Sequence, residues 1–410
     1  MTSEAYVFLR TDGPYRPIGL LTDMGRDGYL FRYGNKYLAD PSAFSIDPVR
    51  LPLGADEYFS RNLFNVFLDA CPDAWGRTLL ALMRGSKSGE MSDFEVLTAV
   101  HSPDRIGALA FGPSPKQPES MSIWESISPA LDSMDDIELL AGSVKDAESG
   151  KRADAPAFFR AFYPSFSIGG ARPKAVFPHE GALWIAKFPK SDDKWNEPLI
   201  EYGTLLLAKK CGIRIPEVKL LESSIGTVLL VKRFDREGGA ARHMISGFTL
   251  CDLRPVGEWG SYQNMAETAR RYGMVEGGAE MFRRMVLNAV CNNFDDHPRN
   301  HAFFVDSKKV GMTPAFDVVP CFKLYAEREI ALVCGSSGRS VSRENLLSDV
   351  APFGLSETAA EGILEEITGH VSRWEEHFGS LGLGARDMEL LAERFLHLSA
   401  VTEETPGPGM

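Results

Sequence analysis

The sequence predicts an α+β fold with two lobes, a small lobe built on mixed sheets and a larger lobe that is mostly helical. Three observations lead to this prediction. Residues 5–50 carry short runs of β-branched and aromatic residues between turn residues, which is typical of strands. Residues 57–100 place apolar side chains three and four positions apart, which indicates helices. After about Gly247 helical spacing prevails, with short strands only near residues 300–335.

A change in composition and a later change in periodicity divide the chain into three predicted domains. The stretch "SPKQPESMS" follows residue 113 and is typical of a linker. We therefore expect an N-terminal α/β subdomain over residues 1–113, the rest of the small lobe over 114–240, and the helical lobe over 241–410. A small lobe followed by a helical lobe predicts a cleft between them, where ligands tend to bind.

The composition is that of an acidic globular protein. The chain has 410 residues, 44% of them hydrophobic, and a formal net charge of -12. Such a chain repels polyphosphate, so it is not expected to bind nucleic acid without a basic partner. Its six cysteines form no CxxC pair, which excludes a zinc ribbon and a thioredoxin motif. With no signal peptide and no apolar run of about 20 residues, we expect a cytoplasmic protein.

A predicted hairpin followed by a helix places two charged residues among apolar ones. "PKAVF" and "ALWIAKF", joined by "PHEG", predict the hairpin, and Asn196 and Gly212 bound the predicted helix. Lys187 shares a strand face with Ile185, and Glu201 shares a helix face with apolar side chains. Kinases hold ATP phosphates with a strand lysine and a helix glutamate in this order. A strand-end lysine and a surface glutamate are the simpler interpretations.

Two glycines precede the hairpin in the stretch "SIGGARPKA", which begins at Ser167. Glycine lets the backbone approach a ligand closely, and its amides can face phosphate. The stretch matches neither GxxxxGK[ST] nor GxGxxG. A plain Gly-Gly turn therefore stays open as an alternative to a phosphate-binding loop.

The stretch "CNNFDDHPRNHAFF" is the most polar one that lies between apolar ends. A metal site would use Asp295, His297 and His301. The HxxxH spacing places both histidines on one face only within a helix, and Pro298 interrupts helical hydrogen bonding. The sequence therefore argues against a helical zinc site and favours structural roles for the histidines.

The same stretch has the spacing of a kinase catalytic loop. Asp295 and Asn300 stand as D-x-x-x-x-N, in which the aspartate orients and deprotonates a hydroxyl and the asparagine binds magnesium. Downstream, Asp317 is a single acid in an apolar run, so burial would require a hydrogen-bond partner or a cation. A turn aspartate is the alternative interpretation for Asp317.

Five motifs in this order give the chain its resemblance to a known family. They are "SIGGARPKA", "WIAKF", "VKRFDR", "NNFDDHPRNHAFF" and "AFDVVP". The chain resembles the HipA family of serine/threonine kinases, the toxins of HipA–HipB toxin–antitoxin modules, over nearly its whole length. The resemblance implies a bilobal protein-kinase-like fold and dependence on ATP and Mg²⁺.

The resemblance also implies roles for individual residues. Asp295 corresponds to the catalytic aspartate, and Asn300 and Asp317 to the magnesium ligands. Lys187 corresponds to the phosphate-binding lysine, with Glu201 as its helix partner. The remaining nucleotide-binding positions lie in the glycine-bearing loop and in the hinge "VKRFDR"; they are Ser167, Gly169, Gly170, Lys174, Lys232, Phe234 and Asp235. In the hinge, Asp235 would approach the ribose. Ser167 also corresponds to the serine whose autophosphorylation inactivates members of the family.

The resemblance implies a function and its partners. The protein would phosphorylate a protein target, such as an aminoacyl-tRNA synthetase, and so stop translation and growth. A helix-turn-helix antitoxin like HipB would be its partner and would supply the contact with DNA. Two alternatives stay open: a catalytically silent binding or repressor protein with the same fold, and a metal-dependent hydrolase. The hydrolase would use Asp295, Asp296, His297 and His301, and the part that Asp296 plays beside Asp295 is also open.

Overall fold

The computed structural model describes seven stretches of the chain, and they divide between two compact units. The described residues are 3–84, 89–100, 105–118, 136–148, 172–254, 258–322 and 328–395. The first unit comprises Met1–Asp192, Val218–Ile245 and Phe304–Lys308, and the second comprises Asp193–Glu217, Ser246–Phe303 and Lys309–Met410. The units interleave along the chain, and the three sequential domains expected above stay a prediction.

The first unit contains a five-stranded antiparallel sheet in the order β4-β3-β2-β1-β5. Its strands are β1 (Ser3–Leu9), β2 (Arg16–Asp23), β3 (Tyr29–Tyr33), β4 (Glu57–Ser60) and β5 (Leu109–Gly112). The predicted strand runs in residues 5–50 are confirmed. On β3, Phe31 and Tyr33 are buried and Arg32 between them is exposed, whereas on β1 the consecutive residues Val7, Phe8 and Leu9 are all buried.

A second antiparallel sheet in the first unit has the order β6-β7-β9-β8. Its strands are β6 (Lys174–His179), β7 (Ala182–Lys187), β8 (Val218–Ser223) and β9 (Gly226–Lys232). The predicted hairpin is confirmed, with its turn at Glu180–Gly181. On β7, Trp184 and Ala186 are buried in the core, whereas Lys187 lies on the opposite face with Ile185.

Helices pack beside these sheets in the first unit. They are Asn35–Leu38, Asn65–Asp69, Ala74–Arg84, Asp93–Ala99 and Asp136–Glu148. Leu140 and Val144 of the last helix share one apolar core with Trp184 and Leu230 of the second sheet. Short strands β10 (Arg236–Glu237) and β11 (Ala240–Ala241) then form a small hairpin. The core therefore fixes the sheet on which Lys187 is carried.

The second unit is mostly helical, as predicted. Its helices are Glu197–Lys210, Gly247–Leu250, Tyr262–Arg271, Gly278–Val290, Arg343–Leu347, Glu357–Val371, Trp374–Ser380 and Ala385–Phe395. Strands β12 (Met244–Ser246), β13 (Ala302–Val305) and β14 (Val310–Met312) lie where the chain passes from one unit to the other. Among the described helices, none is long and apolar enough to cross a membrane.

The helix Glu197–Lys210 begins and ends where the sequence predicts. The Oδ1 atom of Asn196 accepts a hydrogen bond from the Leu199 amide over 3.2 Å, which satisfies one of the unpaired amides of the first turn. Gly212 follows the helix with φ of 74°, a conformation that favours glycine. Midway, a Cβ atom at Gly203 would overlap the Phe378 ring, so glycine allows this helix and Trp374–Ser380 to pack closely.

His243 gives the first unit a predicted sensitivity to acid. Its Nε2 atom donates a hydrogen bond to the Ile46 carbonyl oxygen over 2.7 Å. Burial lowers the pKa of His243 from 6.5 to about 4, against the opposing effect of this hydrogen bond. As the pH falls from 6.5 to 4, His243 binds a proton in the unfolded chain but not in the folded chain. The free energy of unfolding should therefore fall by about 3 kcal/mol across this window.

Urea unfolding of the wild type and of His243→Gln across this pH window tests the prediction. The glutamine side chain keeps a donor for the Ile46 carbonyl but cannot bind a proton in this range. The variant should therefore lose about 3 kcal/mol less stability than the wild type between pH 6.5 and pH 4. Parallel stability curves for the two proteins would contradict the assignment.

Candidate active site

The polar stretch at residues 292–301, called the Asp295 loop below, follows directly on the helix Gly278–Val290. Its first residue, Asn292, is buried and adopts a φ of 59°, which is uncommon outside glycine. Further along, the side chain of Asp295 is exposed, whereas that of Asp296 is only 2% exposed. The two neighbouring acids therefore occupy opposite environments.

Asp296 holds the Asp295 loop in place through two buried hydrogen bonds. Its Oδ2 atom accepts a short hydrogen bond from the Tyr262 hydroxyl and another, of 2.8 Å, from Nε2 of His301. Burial and the neighbouring Asp296 carboxylate raise the pKa of Tyr262 well above its ordinary value, so the hydroxyl remains the donor. A buried carboxylate with two such donors is a structural group. Asp295 is thereby left as the acid that can meet a substrate.

Two asparagines extend this buried network. Nδ2 of Asn288 donates to the Tyr262 hydroxyl oxygen over 3.3 Å, and Nδ2 of Asn293 donates to Oδ1 of Asn288 over 3.0 Å. The network connects the helix Tyr262–Arg271, the helix Gly278–Val290 and the Asp295 loop. Because each member is bonded to the next, the loop has a defined position against both helices.

The metal site considered from the sequence does not form. Pro298 begins a single 3-10 turn, Pro298–Asn300, and the two histidines diverge: His297 is exposed and His301 is buried on Asp296. Among the described residues, no three His, Cys, Asp or Glu side chains converge as a metal-ligand group. The structural roles predicted for the two histidines stay predictions, and the geometry disfavours the hydrolase alternative.

Asn300 and Asp317 offer hard oxygen ligands. Nδ2 of Asn300 donates to the backbone oxygen of Asp295 over 3.2 Å, and its Oδ1 atom is the group that a cation could use as a ligand. Asp317 is half-buried and adopts a φ of 54°, a conformation that a non-glycine residue holds only when its surroundings impose it. An amide oxygen and a carboxylate are ligands that magnesium prefers.

Residues 313–321, called the Asp317 segment, are tied to the Asp295 loop through the backbone. The Cys321 amide donates to the Asn292 carbonyl oxygen over 2.9 Å. At the other end, the Thr313 amide donates to the Ala302 oxygen over 3.1 Å and the Ala315 amide donates to the Arg214 oxygen over 2.8 Å. Asp295, Asn300 and Asp317 therefore stand on two stretches of backbone that share hydrogen bonds within the second unit.

The first unit carries Lys187, predicted to bind phosphate, and Lys174, predicted to bind the nucleotide. Lys174 on β6 and Lys187 on β7 are register partners across the hairpin, and Lys174 is 3% exposed. Two like charges that face each other across strands repel. Ammonium groups are suited to bind the oxygens of an anionic ligand such as a phosphate.

The three predicted residues of the hinge stretch in the first unit differ in their surroundings. Lys232 ends β9, in register with Trp184. Phe234 packs edge-on against Phe304, with ring centroids 6.1 Å apart. Asp235 is buried. Burial alone would raise the pKa of Asp235, but two flanking guanidiniums hold it below its ordinary value.

The bonds of Asp235 show why it is buried. Its carboxylate accepts hydrogen bonds from Nε and Nη2 of Arg233 over 2.9 and 2.8 Å, and from Nη1 of Arg236 over 2.9 Å. It also accepts one from the Gly107 amide over 2.8 Å. Both oxygens are thus engaged within the first unit, which favours a structural role over the ribose contact expected from the resemblance.

Glu201 and the glycine-bearing loop complete the predicted set. Glu201 belongs to the second unit and is 5% exposed, among the buried residues Leu205 and Ala208 of its helix. Its predicted inward orientation is confirmed. Ser167, Gly169 and Gly170 lie outside the described residues.

Sequence reasoning missed the residues that support the Asp295 loop. Tyr262 and Asn288 were not predicted, and neither was Arg284, which donates to the Thr313 oxygen over 2.5 Å. A signal existed for two of them. Arg284 and Asn288 are four positions apart on an otherwise apolar helix face, and polar residues there need buried partners. Tyr262 gave no comparable signal.

Comparisons with known proteins concern the family and the fold of the chain. A family model described as HipA N-terminal domain matches residues 10–112, and one described as HipA-like C-terminal domain matches residues 166–374. A curated relative, the serine/threonine-protein kinase toxin HipA of Shewanella oneidensis, is 23% identical over 187 residues, which cover 38% of this chain and 43% of that protein. The match thus spans less than half of that relative's length.

A solved structure extends the similarity to nearly the whole fold. It is the Shewanella oneidensis MR-1 toxin–antitoxin complex of HipA, HipB and operator DNA, which aligns with a TM-score of 0.67 and 18% identity over 96% of both chains. This similarity shows a shared fold, and the predicted bilobal kinase-like fold class is confirmed. The Helicobacter pylori proinflammatory kinase CtkA aligns with a TM-score of 0.42 over 55% of this chain, which is too low to support an inference.

Proposed function

The chain belongs to the HipA family, and on that premise we propose that it is an ATP- and magnesium-dependent serine/threonine protein kinase. One observation carries the proposal. The exposed Asp295 and the half-buried Asp317 lie on two backbone stretches joined by the Asn292–Cys321 hydrogen bond. Asn300 is bonded to the same loop. A base and two magnesium ligands in this order are the parts that phosphoryl transfer requires.

The chemistry follows from the environment of each side chain. Asp295 accepts a hydrogen bond from a serine or threonine hydroxyl and takes its proton as the hydroxyl oxygen bonds to the γ-phosphorus. The bond from that phosphorus to the bridging oxygen breaks, and ADP leaves. Asn300 and Asp317 would hold magnesium, which neutralises charge on the phosphates when bound. Asp296 stays bonded to Tyr262 and His301 and moves no proton to the substrate.

The first unit would supply the groups that bind the nucleotide. Lys174 and Lys187 would meet the phosphates, and the backbone at Lys232 and Phe234 would meet adenine. In the second unit Glu201 would correspond to the helix glutamate of kinases. Asp235 would support the hinge through its arginines.

The family suggests a target and a partner. We propose a protein substrate, with an aminoacyl-tRNA synthetase as the first candidate, whose phosphorylation would inhibit translation. Autophosphorylation at Ser167 would switch the enzyme off. The likeness to a HipA chain solved with HipB and operator DNA supports a HipB-like partner, through which alone the protein would contact DNA.

Incubation of the purified protein with labelled ATP and a cell lysate tests the proposal. The wild type should label itself and at least one lysate protein when magnesium is present, and a chelator should stop both. Asp317→Asn should label nothing and keep the wild-type melting temperature, because a half-buried carboxylate is replaced by its near isostere. Ser167→Ala should lose self-labelling and keep the labelling of the target.

Asp306→Asn is the matched control, since Asp306 is an exposed aspartate outside both candidate stretches; it should label like the wild type. Undiminished phosphotransfer by Asp317→Asn would refute the proposed site. A wild type that is stabilised by magnesium–ATP but transfers no phosphate would instead support the catalytically silent alternative.

A further inference from the structure

A small cavity lies beside the Asp295 loop within the second unit. Its volume is about 10 Å³, close to the smallest space that holds one water molecule. Its polar lining comes from the helix Gly278–Val290 and from the Asp295 loop, and consists of Arg284, Asn288, Asp296, Asn300 and His301. Cavities with several polar groups hold water, whereas apolar ones of this size stay dry.

Arg284 brings two unpaired donors to this cavity. Its Nη2 atom donates to Oε1 of Glu280 over 2.6 Å and to the Thr313 oxygen over 2.5 Å. Within the described stretches of the chain, its Nε and Nη1 atoms have no hydrogen-bond partner, although the side chain is 3% exposed. Leaving such donors unpaired would be costly for a buried charged group, so the guanidinium requires an acceptor on this side.

Asp296 and His301, which also line the cavity, supply complementary groups. His301 bonds through Nε2 to Oδ2 of Asp296, and in a neutral ring that donates through Nε2 the Nδ1 atom is an acceptor. Among the residues that the structure describes, Nδ1 also lacks a partner. The Oδ1 atom of Asp296 takes part in neither of the bonds made by Oδ2. The residues that line the cavity thus include donors without a partner and groups that can accept, a set that one molecule able to accept and donate can satisfy.

We propose that the cavity binds one water molecule, which accepts from the Arg284 guanidinium and donates to the Asp296–His301 pair, and that Arg284 is thereby a positioning residue. Through Nη2 it fixes Thr313, the first residue of the Asp317 segment, and through the water it fixes the Asp295 loop. Water suits the site better than an anion, because the Asp296 carboxylate lies on the same cavity. This inference rests on the proposed function only for its kinetic consequence.

A crystal structure of the wild-type protein tests the bound water without reference to activity. It should show a density peak within hydrogen-bond distance of Arg284 Nε or Nη1 and also of Asp296 or His301. No peak there, or a peak that contacts only Arg284 or only the Asp296–His301 pair, would overturn the inference. A peak that bromide replaces in a soaked crystal would mark an anion site and overturn it too.

The kinetic test compares Arg284→Lys with the wild type. Lysine keeps a charge and a donor for Glu280 but lacks the planar fork that reaches both Thr313 and the cavity. We expect kcat to fall about 10- to 100-fold with little change in KM for ATP, as a displaced reacting group produces. Arg284→Met should lower kcat at least as much. A lysine variant with wild-type kcat would overturn the positioning role.

Hydrogen exchange separates positioning from general loss of stability. In Arg284→Lys the amides of both the Asp295 loop and the Asp317 segment should exchange faster, while those of the helix Glu357–Val371 stay protected. The matched control is Arg283→Met, one residue away, whose guanidinium donates to the Cys211 oxygen and to Glu366. It should leave kcat and both stretches unchanged. Faster exchange in only one of the two stretches would contradict their coupling by Arg284.

The outcomes distinguish the two proposals. A wild type without phosphotransfer would refute the proposed function, while the density peak and the exchange rates would still decide the inference. An active wild type with no bound water, or one whose Arg284→Lys variant is fully active, would refute the inference alone.

Discussion

Asp295→Asn is expected to lower the rate of phosphotransfer by about 10²- to 10⁴-fold, the range in which a general base contributes, without a change in stability. Asp295 is exposed, so an amide in its place disturbs no buried contact. Single-turnover transfer from labelled ATP and thermal unfolding of the same preparation measure the two effects. A fully active variant would remove Asp295 from the mechanism.

Asp296→Asn, one residue on, is the matched variant and should behave in the opposite way. An asparagine oxygen at the position of Oδ2 can still accept from Tyr262 and His301, but it carries no full negative charge, and its amide group takes the place of Oδ1. We expect the free energy of unfolding to fall by about 2 to 3 kcal/mol, the scale of a lost hydrogen bond to a charged group. Urea unfolding measures this loss. If Asp296→Asn were as stable as the wild type and inactive, Asp296 would be the catalytic base instead of Asp295.

The buried ion cluster of the first unit should give the largest stability effect. Arg233→Met removes both guanidinium bonds that Arg233 makes to Asp235 and leaves the carboxylate with Arg236 and the Gly107 amide. It also removes the 2.8 Å bond from Nη2 to the Arg105 oxygen. Breaking one partner of a buried ion pair costs about 3 to 5 kcal/mol, so we expect a loss of this size in urea unfolding.

An exposed ion pair in the same unit provides the control. Arg32 and Glu57 lie 3.8 Å apart on neighbouring strands, with both side chains more than half exposed. Arg32→Met should cost less than about 1 kcal/mol. Equal losses for Arg233→Met and Arg32→Met would mean that the Asp235 cluster contributes no more than a surface pair. A measured loss near zero for both would contradict the structural role given to Asp235.

Local chemistry was enough to predict the elements that carry the site. The hairpin of β6 and β7 follows from alternating side chains around a polar turn, and the helix Glu197–Lys210 from Asn196 and Gly212 at its ends. The inward orientation of Glu201 follows from helical spacing alone. Pro298 was sufficient to argue against a helical HxxxH site, because its effect on hydrogen bonding is local.

Contacts between distant residues were beyond prediction from the sequence. Nothing near Asp296 indicates that Tyr262, 34 positions away, will be its donor. The exposure of Asp295 and the burial of Asp296 could not be told from two adjacent identical side chains, since their environments depend on that partner. Asp235 was expected near a ribose, but its environment depends on Gly107, 128 positions earlier. In each case tertiary packing decides a role that spacing leaves open.

The left-handed backbone at Asn292 and Asp317 limits which amino acids can replace these two residues during evolution. Glycine, asparagine and aspartate tolerate that conformation, whereas a β-branched residue in it is strongly destabilised by steric clashes. A descendant that acquired valine at Asn292 would have to rebuild the turn before the Asp295 loop, whereas one that acquired glycine would not. At Asp317 chemistry and backbone together narrow the choice further: glycine would satisfy the turn but forfeit the carboxylate, so only aspartate meets both demands in full.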